Sequence, residues 1–245
     1  DAAVPLSRVL IDRLSAYHVA IPDIHSSLDA EIAARAAFNH LPISAAAGWD
    51  LHFGRELNAT DDRAHFNSQD ELPVVEGKQI QPFAVDVQAS RLRVGRAVVQ
   101  RLLRGAPFDR ARLAYRDVAS ATNRLTLIAG ILPPDTVSTH TIFCLKTPLD
   151  DDAQLFVLGL FNSFVVNFLV RLRVTTHVTV AIVEQLPLPK PARTAPEFVQ
   201  MTNHVRRLLA DRADARVVAQ AQAPAHLGRH TADNIAEEWL RVMSA

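Results

Sequence analysis

RLAYRDV (112–118), LTLIAGIL (125–132) and HTIFCLK (140–146) are three short β-rich runs, the last two separated by the Pro133–Pro134 turn. LFVLGLFNSFVVNFLVRL (155–172) follows them and decides between a membrane and a globular chain. A membrane span needs about 20 mostly apolar residues. Here Asn162, Ser163, Asn167 and Arg171 interrupt, and Ser163, Asn167 and Arg171 share one helical face at i, i+4 and i+8. The pattern predicts a buried core helix over about 153–173 with one polar stripe, and no membrane segment.

On the N-terminal side, the first forty residues read as helical. LDAEIAARAAFNH (28–40) is rich in good helix formers and is stopped by Pro42. WDLHFGREL (49–57) alternates Trp49, Leu51 and Phe53 with Asp50 and His52, a strand pattern ending near Gly54. LPVVEGKQIQPF (72–83) reads as a strand with a turn or bulge at Gly77, and RLRVGRAVVQRLLR (91–104) as a helix beginning beyond Gly95 with arginines on its solvent side. On the C-terminal side, THVTVAIVEQLPLP (176–189) is a β-branched strand running into prolines, and Pro187, Pro189, Pro191 and Pro196 mark a stiff connector. Terminal helices are expected over 196–218 and 231–243. The order of helices, strands, core helix and helices predicts an α+β fold: a small mixed or antiparallel sheet packed on a long core helix, flanked by N- and C-terminal helices. The expected segments are 1–45 (helical), 46–190 (the functional domain) and 191–245 (C-terminal helices).

The chain has 245 residues, 49% hydrophobic and 21% charged, with mean hydropathy +0.06. That excludes disorder as the dominant state and allows one large domain or two small ones. Cys144 is the single cysteine, which excludes a disulfide framework or a cysteine-rich zinc site. With no signal-peptide pattern at the start, a reducing, cytoplasmic location is expected. Position 1 is Asp rather than Met, so the sequence is expected to begin inside a longer reading frame or after a removed tag.

Formal net charge is zero, which argues against a uniformly basic nucleic-acid binder, but the charge is unevenly spread. Residues 1–90 carry 6 basic and 13 acidic groups, residues 91–146 carry 10 and 3, and residues 147–245 carry 10 of each. Of the 26 basic residues only Lys78, Lys146 and Lys190 are lysine. The arginine fork suits bidentate contacts to phosphate or guanine, although a GC-rich genome produces the same bias.

There is no glycine-rich phosphate loop, G-x-S-x-G elbow, H-E-x-x-H motif or Asn-Pro-Pro-aromatic tetrapeptide. His140 and His177, each beside threonine, read as structural histidines rather than ligands. Glu76-Gly77-Lys78, with Asp61 and Asp62 upstream, matches the way magnesium-dependent nucleases place two carboxylates on a metal and a lysine near the attacking water. The same residues fit a tight turn whose Lys78 reaches a phosphate. Arg116-Asp117 and Thr122-Asn123-Arg124-x-Thr126 gather several donors, with Asp117 placed to orient a neighbour. Asn reads adenine and Arg guanine bidentately, while a polar hairpin connection fits the spacing equally well. Arg91, Arg93, Arg96, Arg101, Arg104, Arg110 and Arg112 precede this constellation, and nine arginines against two acidic residues within 91–124 would attract a polyanion. Arg171 and Arg173 extend that surface or complement the C-terminus of the core helix.

FGRELNATDDRAHF (53–66), LPVVEGKQIQPF (72–83), RLAYRDVASATNRLTLIAGILPPDTVSTHTIF (112–143) and LFNSFVVNFLVRLRVTTHVTVAIVEQLPLP (160–189) occur in that order. Over roughly residues 45–190 the chain thereby resembles the C-terminal specificity region of adenine-specific DNA methyltransferases of bacterial restriction–modification systems, especially the fused type IIG enzymes and their phage-defence relatives. The resemblance implies that residues 46–190 form a DNA target-recognition domain and that 1–45 is a spacer to an upstream catalytic domain in the same polypeptide. That upstream domain would hold S-adenosylmethionine and methylate a flipped adenine; no cofactor is expected in this segment and no catalytic residue or metal site is carried over. Gly77, Lys78, Gln79, Arg91, Arg93, Arg96, Arg116, Asn123, Arg124, Thr126, Arg171 and Arg173 become the expected DNA contacts, with Gly77 permitting close backbone approach and Glu76 orienting Lys78 or accepting from a cytosine amino group. The competing possibilities are a magnesium-dependent nuclease on Asp61 or Asp62, Glu76 and Lys78, and a protein-interaction module using the apolar 153–173 helix and the acidic N-terminal face.

Overall fold

The computed structural model describes residues 4–15, 21–104, 108–119 and 125–213. The chain opens with helices α1 (Arg8–Ser15) and α2 (Ser27–Asn39). Ser26 Oγ accepts from Asp29 N and Asp29 Oδ2 from Ser26 N, a capping box that starts α2. There follow β1 (Phe53–Gly54), β2 (Leu72–Val75), a 3₁₀ turn at Gly77–Gln79, β3 (Ile80–Gln81), β4 (Ala84–Val85), β5 (Leu92–Val94) and α3 (Arg96–Leu103). The second half holds β6 (Arg112–Arg116), β7 (Ala129–Leu132), β8 (Val137–Ser138), β9 (Ile142–Leu145), α4 (Asp151–Phe161), α5 (Phe164–Arg171), α6 (Val180–Glu184) and α7 (Pro196–Ala213). The architecture is α+β, with small antiparallel and mixed sheets.

The central sheet is antiparallel in the order β1-β9-β6-β7. Strand β6 is buried on both faces. Leu113 and Tyr115 enter the main core, while Ala114 joins Val75, Ile80, Leu132, Ile142 and Cys144 on the other side. A mixed sheet of order β5-β2-β8 pairs β2 antiparallel with β5 and parallel with β8. Val99 of α3 packs against its Leu72, Val74, Val94 and Val137. The pair β3–β4 forms a two-stranded ribbon.

The main core runs continuously through all three expected segments, from Leu10 and Ala36 through Tyr115 and Phe161 to Phe198 and Val205. Helix α7 lies against α4, with Phe156 and Phe198 stacked 4.9 Å apart. A Cβ at Gly159 would stand 3.0 Å from Val205 Cγ2 and 2.7 Å from Met201 Sδ, so the glycine sets how closely the two helices approach.

Two sequence expectations change. The helix expected over 153–173 is two helices, α4 and α5, bent by 62° at Asn162–Ser163. The polar residues break it because they have work on the sheet edge. Asn162 Oδ1 accepts from Ala129 N and Nδ2 donates to Ala129 O, covering outer strand β7. Ser163 Oγ then caps α5 by accepting from Val166 N. Among the described residues no single helix is long and apolar enough to cross a membrane. The strand expected over 176–189 is instead the short helix α6 between isolated bridges, Val118 with His177 and Pro42 with Pro187. Tertiary contacts override the β-branched composition, because the turn delivers the Glu184 carboxylate to Phe53 N and the Glu184 carbonyl to Ser44. The helix expected over 196–218 corresponds to α7, and the one over 231–243 lies outside the described residues.

Candidate nucleic-acid interface

The unit β5–α3 carries the first group of arginines. Val99 fixes the buried side of α3, leaving Ala97, Gln100, Arg101 and Arg104 exposed at i, i+3, i+4 and i+7, one continuous stripe. The helix contains no acidic residue, and among the described residues neither Arg101 nor Arg104 has a hydrogen-bond or ion-pair partner. Arg91, just before β5, is likewise exposed and unpaired among them. The other two expected contacts here are engaged internally. Arg93 donates to the carbonyls of Asp70 and Glu71. Arg96 pairs with Asp135 at 2.9 Å and lies 5.8 Å over the Phe108 ring.

The Glu76-Gly77-Lys78 turn is folded on itself. Gly77 N donates to Thr141 Oγ1 at 2.8 Å, and a Cβ at Gly77 would stand 3.0 Å from Thr141 O. The close approach that requires glycine is therefore to the chain's own loop before β9, and not to an outside backbone. Gln79 is buried, accepting from Glu76 N and donating to Asp86 O, which removes it from the expected contact surface. Lys78 Nζ is exposed and pairs with Glu76 at 2.7 Å. Asp61 and Asp62 bind back to Asn58 in a local turn, and His140 Nδ1 accepts from Ala59 N. The described residues contain no group of three or more His, Cys, Asp or Glu side chains placed to hold a metal ion.

Strand β6 ends on the second constellation. Arg116 is half-buried with no side-chain partner among the described residues. Asp117 is buried, and its Oδ2 accepts from Arg55 Nη2 at 2.8 Å, so it orients a neighbour 62 residues away. Asn123 and Arg124 lie outside the described residues. Thr126 is fully buried, receiving Arg171 Nε on its hydroxyl at 3.0 Å, and is thus no surface contact. Burial lowers the Arg171 pKa. The polar stripe of α5 serves the same segment, since Asn167 Oδ1 accepts from both Thr126 N and Leu127 N. Arg173 is internal as well. Its guanidinium donates to Leu14 O and Ile182 O, tying the end of α1 to α6, and burial pulls its pKa down to about 10, still charged at neutral pH.

Of the basic cluster, Arg112 is the residue most completely withdrawn. It forms a buried bidentate pair with Glu56, which also accepts from Ser138 N and Oγ. Burial pushes the Glu56 carboxyl up, and the Arg112 guanidinium more than offsets it, holding it below the ordinary carboxylate range. The pair joins the segment after β1 to β6 and β8, so it locks the two main sheets together.

Arg55 and His177 gain a place that the sequence did not signal. Arg55 sits 4.8 Å over Phe143, and His177 Nδ1 lies 3.2 Å from Asp117 Oδ1. The FGREL string reads as the end of a strand and as the first of the ordered motifs, and no local spacing links it to Asp117. Compared with known proteins, the chain matches no family model and no curated protein.

Proposed function

We propose that the chain binds double-stranded DNA as the target-recognition region of an adenine-specific DNA methyltransferase of restriction–modification type. The observation that carries this reading is the exposed stripe of α3, where Gln100, Arg101 and Arg104 face solvent with no acidic residue on the helix. Unpaired guanidinium groups on a rigid helix neutralise phosphates and release counterions. Arg91, Arg116 and Lys78 are the further expected contacts that still present a side chain to the exterior. The ordered motifs between residues 53 and 189 support the assignment to methyltransferase specificity regions. In the complete enzyme this region grips the duplex while an upstream domain, carrying S-adenosylmethionine, extrudes and methylates adenine. Such an enzyme acts on cytoplasmic DNA.

The test is a salt-titrated binding measurement on mixed-sequence duplex. Each phosphate contact contributes a slope of about −0.9 in log K against log salt. Replacing Arg101 and Arg104 together with Ala is expected to weaken binding on all sequences and to flatten the slope by about 2. No binding by the unaltered protein at ~50 mM salt, or an unchanged slope in the double variant, overturns the proposal.

A further inference from the structure

Asp117 is a carboxylate in an unusual position: 3% exposed, at the end of a core strand, with its backbone N bonded to Thr141 O and its carbonyl accepting from Val178 N. A buried carboxylate is costly unless charged neighbours compensate it. The compensation comes from two side chains that are themselves half in solvent. Arg55 is 49% exposed and places Nη2 on Oδ2, while His177, 52% exposed, makes an ion contact with Oδ1 that is not aligned as a hydrogen bond.

The guanidinium of Arg55 is thus fixed on two sides. Asp117 holds one nitrogen and the Phe143 ring lies beneath the plane at 4.8 Å. Its Nε–H, both Nη1 protons and the second Nη2 proton have no acceptor among the described residues, so a two-donor edge that shares Nη2 remains open. A surface arginine normally loses much rotamer freedom when it binds, and here that cost is already met by the fold. Because Asp117 neutralises the charge, what the fork presents outward is hydrogen-bond geometry more than net positive charge. Val118, the residue after Asp117, is 53% exposed and bridged to His177, and offers apolar surface of the kind that meets a thymine methyl.

We infer that Arg55, seated on Asp117 and stacked on Phe143, is a specificity-determining residue that reads the O6/N7 acceptor pair of a guanine in the major groove. This rests on the DNA-binding reading above and adds to it a base and a residue. Arg112, only four residues along β6 from Arg116, cannot serve, because its fork is spent on Glu56. Arg91, Arg101 and Arg104 have no such buttress among the described residues and suit phosphates.

The experiment selects duplexes from a randomised library with the unaltered protein and with Arg55→Lys. Lysine keeps a positive charge beside Asp117 and removes the fork, which protects folding where Arg55→Ala would strand a buried carboxylate. The unaltered protein should enrich guanine at a position where Arg55→Lys shows a relaxed preference, with a loss on the guanine duplex of roughly 5- to 100-fold. Replacing that guanine by 7-deazaguanine should weaken the unaltered protein about tenfold and leave Arg55→Lys insensitive. Equal loss on every sequence, with 7-deazaguanine tolerated by both proteins, means a phosphate contact and overturns the inference while the DNA-binding proposal stands. Unchanged selection by Arg55→Lys shows a purely structural arginine and overturns it too. Absence of any duplex binding by the unaltered protein removes both proposals together.

Discussion

Replacing Arg112 with Met should destabilise the protein severely, and more so at neutral than at acid pH. Arg112 and Glu56 have side chains 2% and 1% exposed. Nε donates to Oε1 and Nη2 to Oε2, each at 2.8 Å, and Nη2 also reaches Thr136 O at 2.7 Å. The substitution leaves Glu56 with the two donors of Ser138, and removes the charge that offset its burial. Breaking one side of a buried pair costs about 3–5 kcal/mol. With an unfolding slope of about 3 kcal/mol per molar urea, the midpoint should fall by roughly 1 M or more. The pH dependence fixes the cause. In the unaltered protein the folded carboxyl lies below its ordinary value of 4.5, so its stabilisation is complete above that value and is lost as pH falls through the folded pKa. In Arg112→Met burial is opposed only by the Ser138 donors and Lys146, so the folded carboxyl value rises from where Arg112 held it, and acidification relieves the penalty by protonating Glu56. The gap between the two proteins should therefore narrow as the pH is lowered from 7 through the variant's raised carboxyl value. Urea titrations at several pH values measure it directly. Adding Glu56→Gln to Arg112→Met should recover about 2 kcal/mol or more, as expected for residues in contact. A penalty below about 1 kcal/mol, or one independent of pH, would refute the reasoning.

Three further outcomes follow from buried polar groups. Tyr115→Phe should be neutral or stabilising by up to about 1 kcal/mol, because the phenolic oxygen is buried with no hydrogen-bond partner among the described residues; a loss above that in chemical denaturation would mean the hydroxyl is satisfied. Asn167→Leu should cost about 2–4 kcal/mol, since its Oδ1 is the shared acceptor for Thr126 N and Leu127 N and its Nδ2 serves Phe161 O and Ser163 O; a midpoint within error of the unaltered protein contradicts this. Cys144 is fully buried, and burial pushes its thiol up to about 12, so labelling by a thiol reagent at pH 8 should track the unfolding rate; rapid stoichiometric labelling of the folded protein speaks against that burial.

Much of the secondary structure was legible locally. The run RLAYR forms β6, LPVV forms β2 before its glycine turn, and the helix beyond Gly95 begins at Arg96. Alternation and capping residues act within a few positions, which is the range that sequence patterns report. The break between α4 and α5 falls at Asn162 and Ser163, two of the polar residues that interrupt the apolar run in the sequence. Its position was not legible there, because Asn162 bends the helix only by meeting Ala129 of an edge strand 33 residues away. The strand-like 176–189 failed for a related reason, since Glu184 is needed at Phe53 and Ser44.

What the sequence alone determined is that a charge-rich, arginine-biased segment sits among short strands and a buried apolar helical segment. Which arginines face outward was decided only by the tertiary structure. Arg112 meets Glu56 from 56 positions away, Arg173 meets Leu14 from 159, and Arg55 meets Asp117 from 62, while Arg101 and Arg104 meet no carboxylate among the described residues. Local propensity is short-ranged, whereas the cost of burying a charge is settled by whichever distant carboxylate or carbonyl the packing brings opposite it.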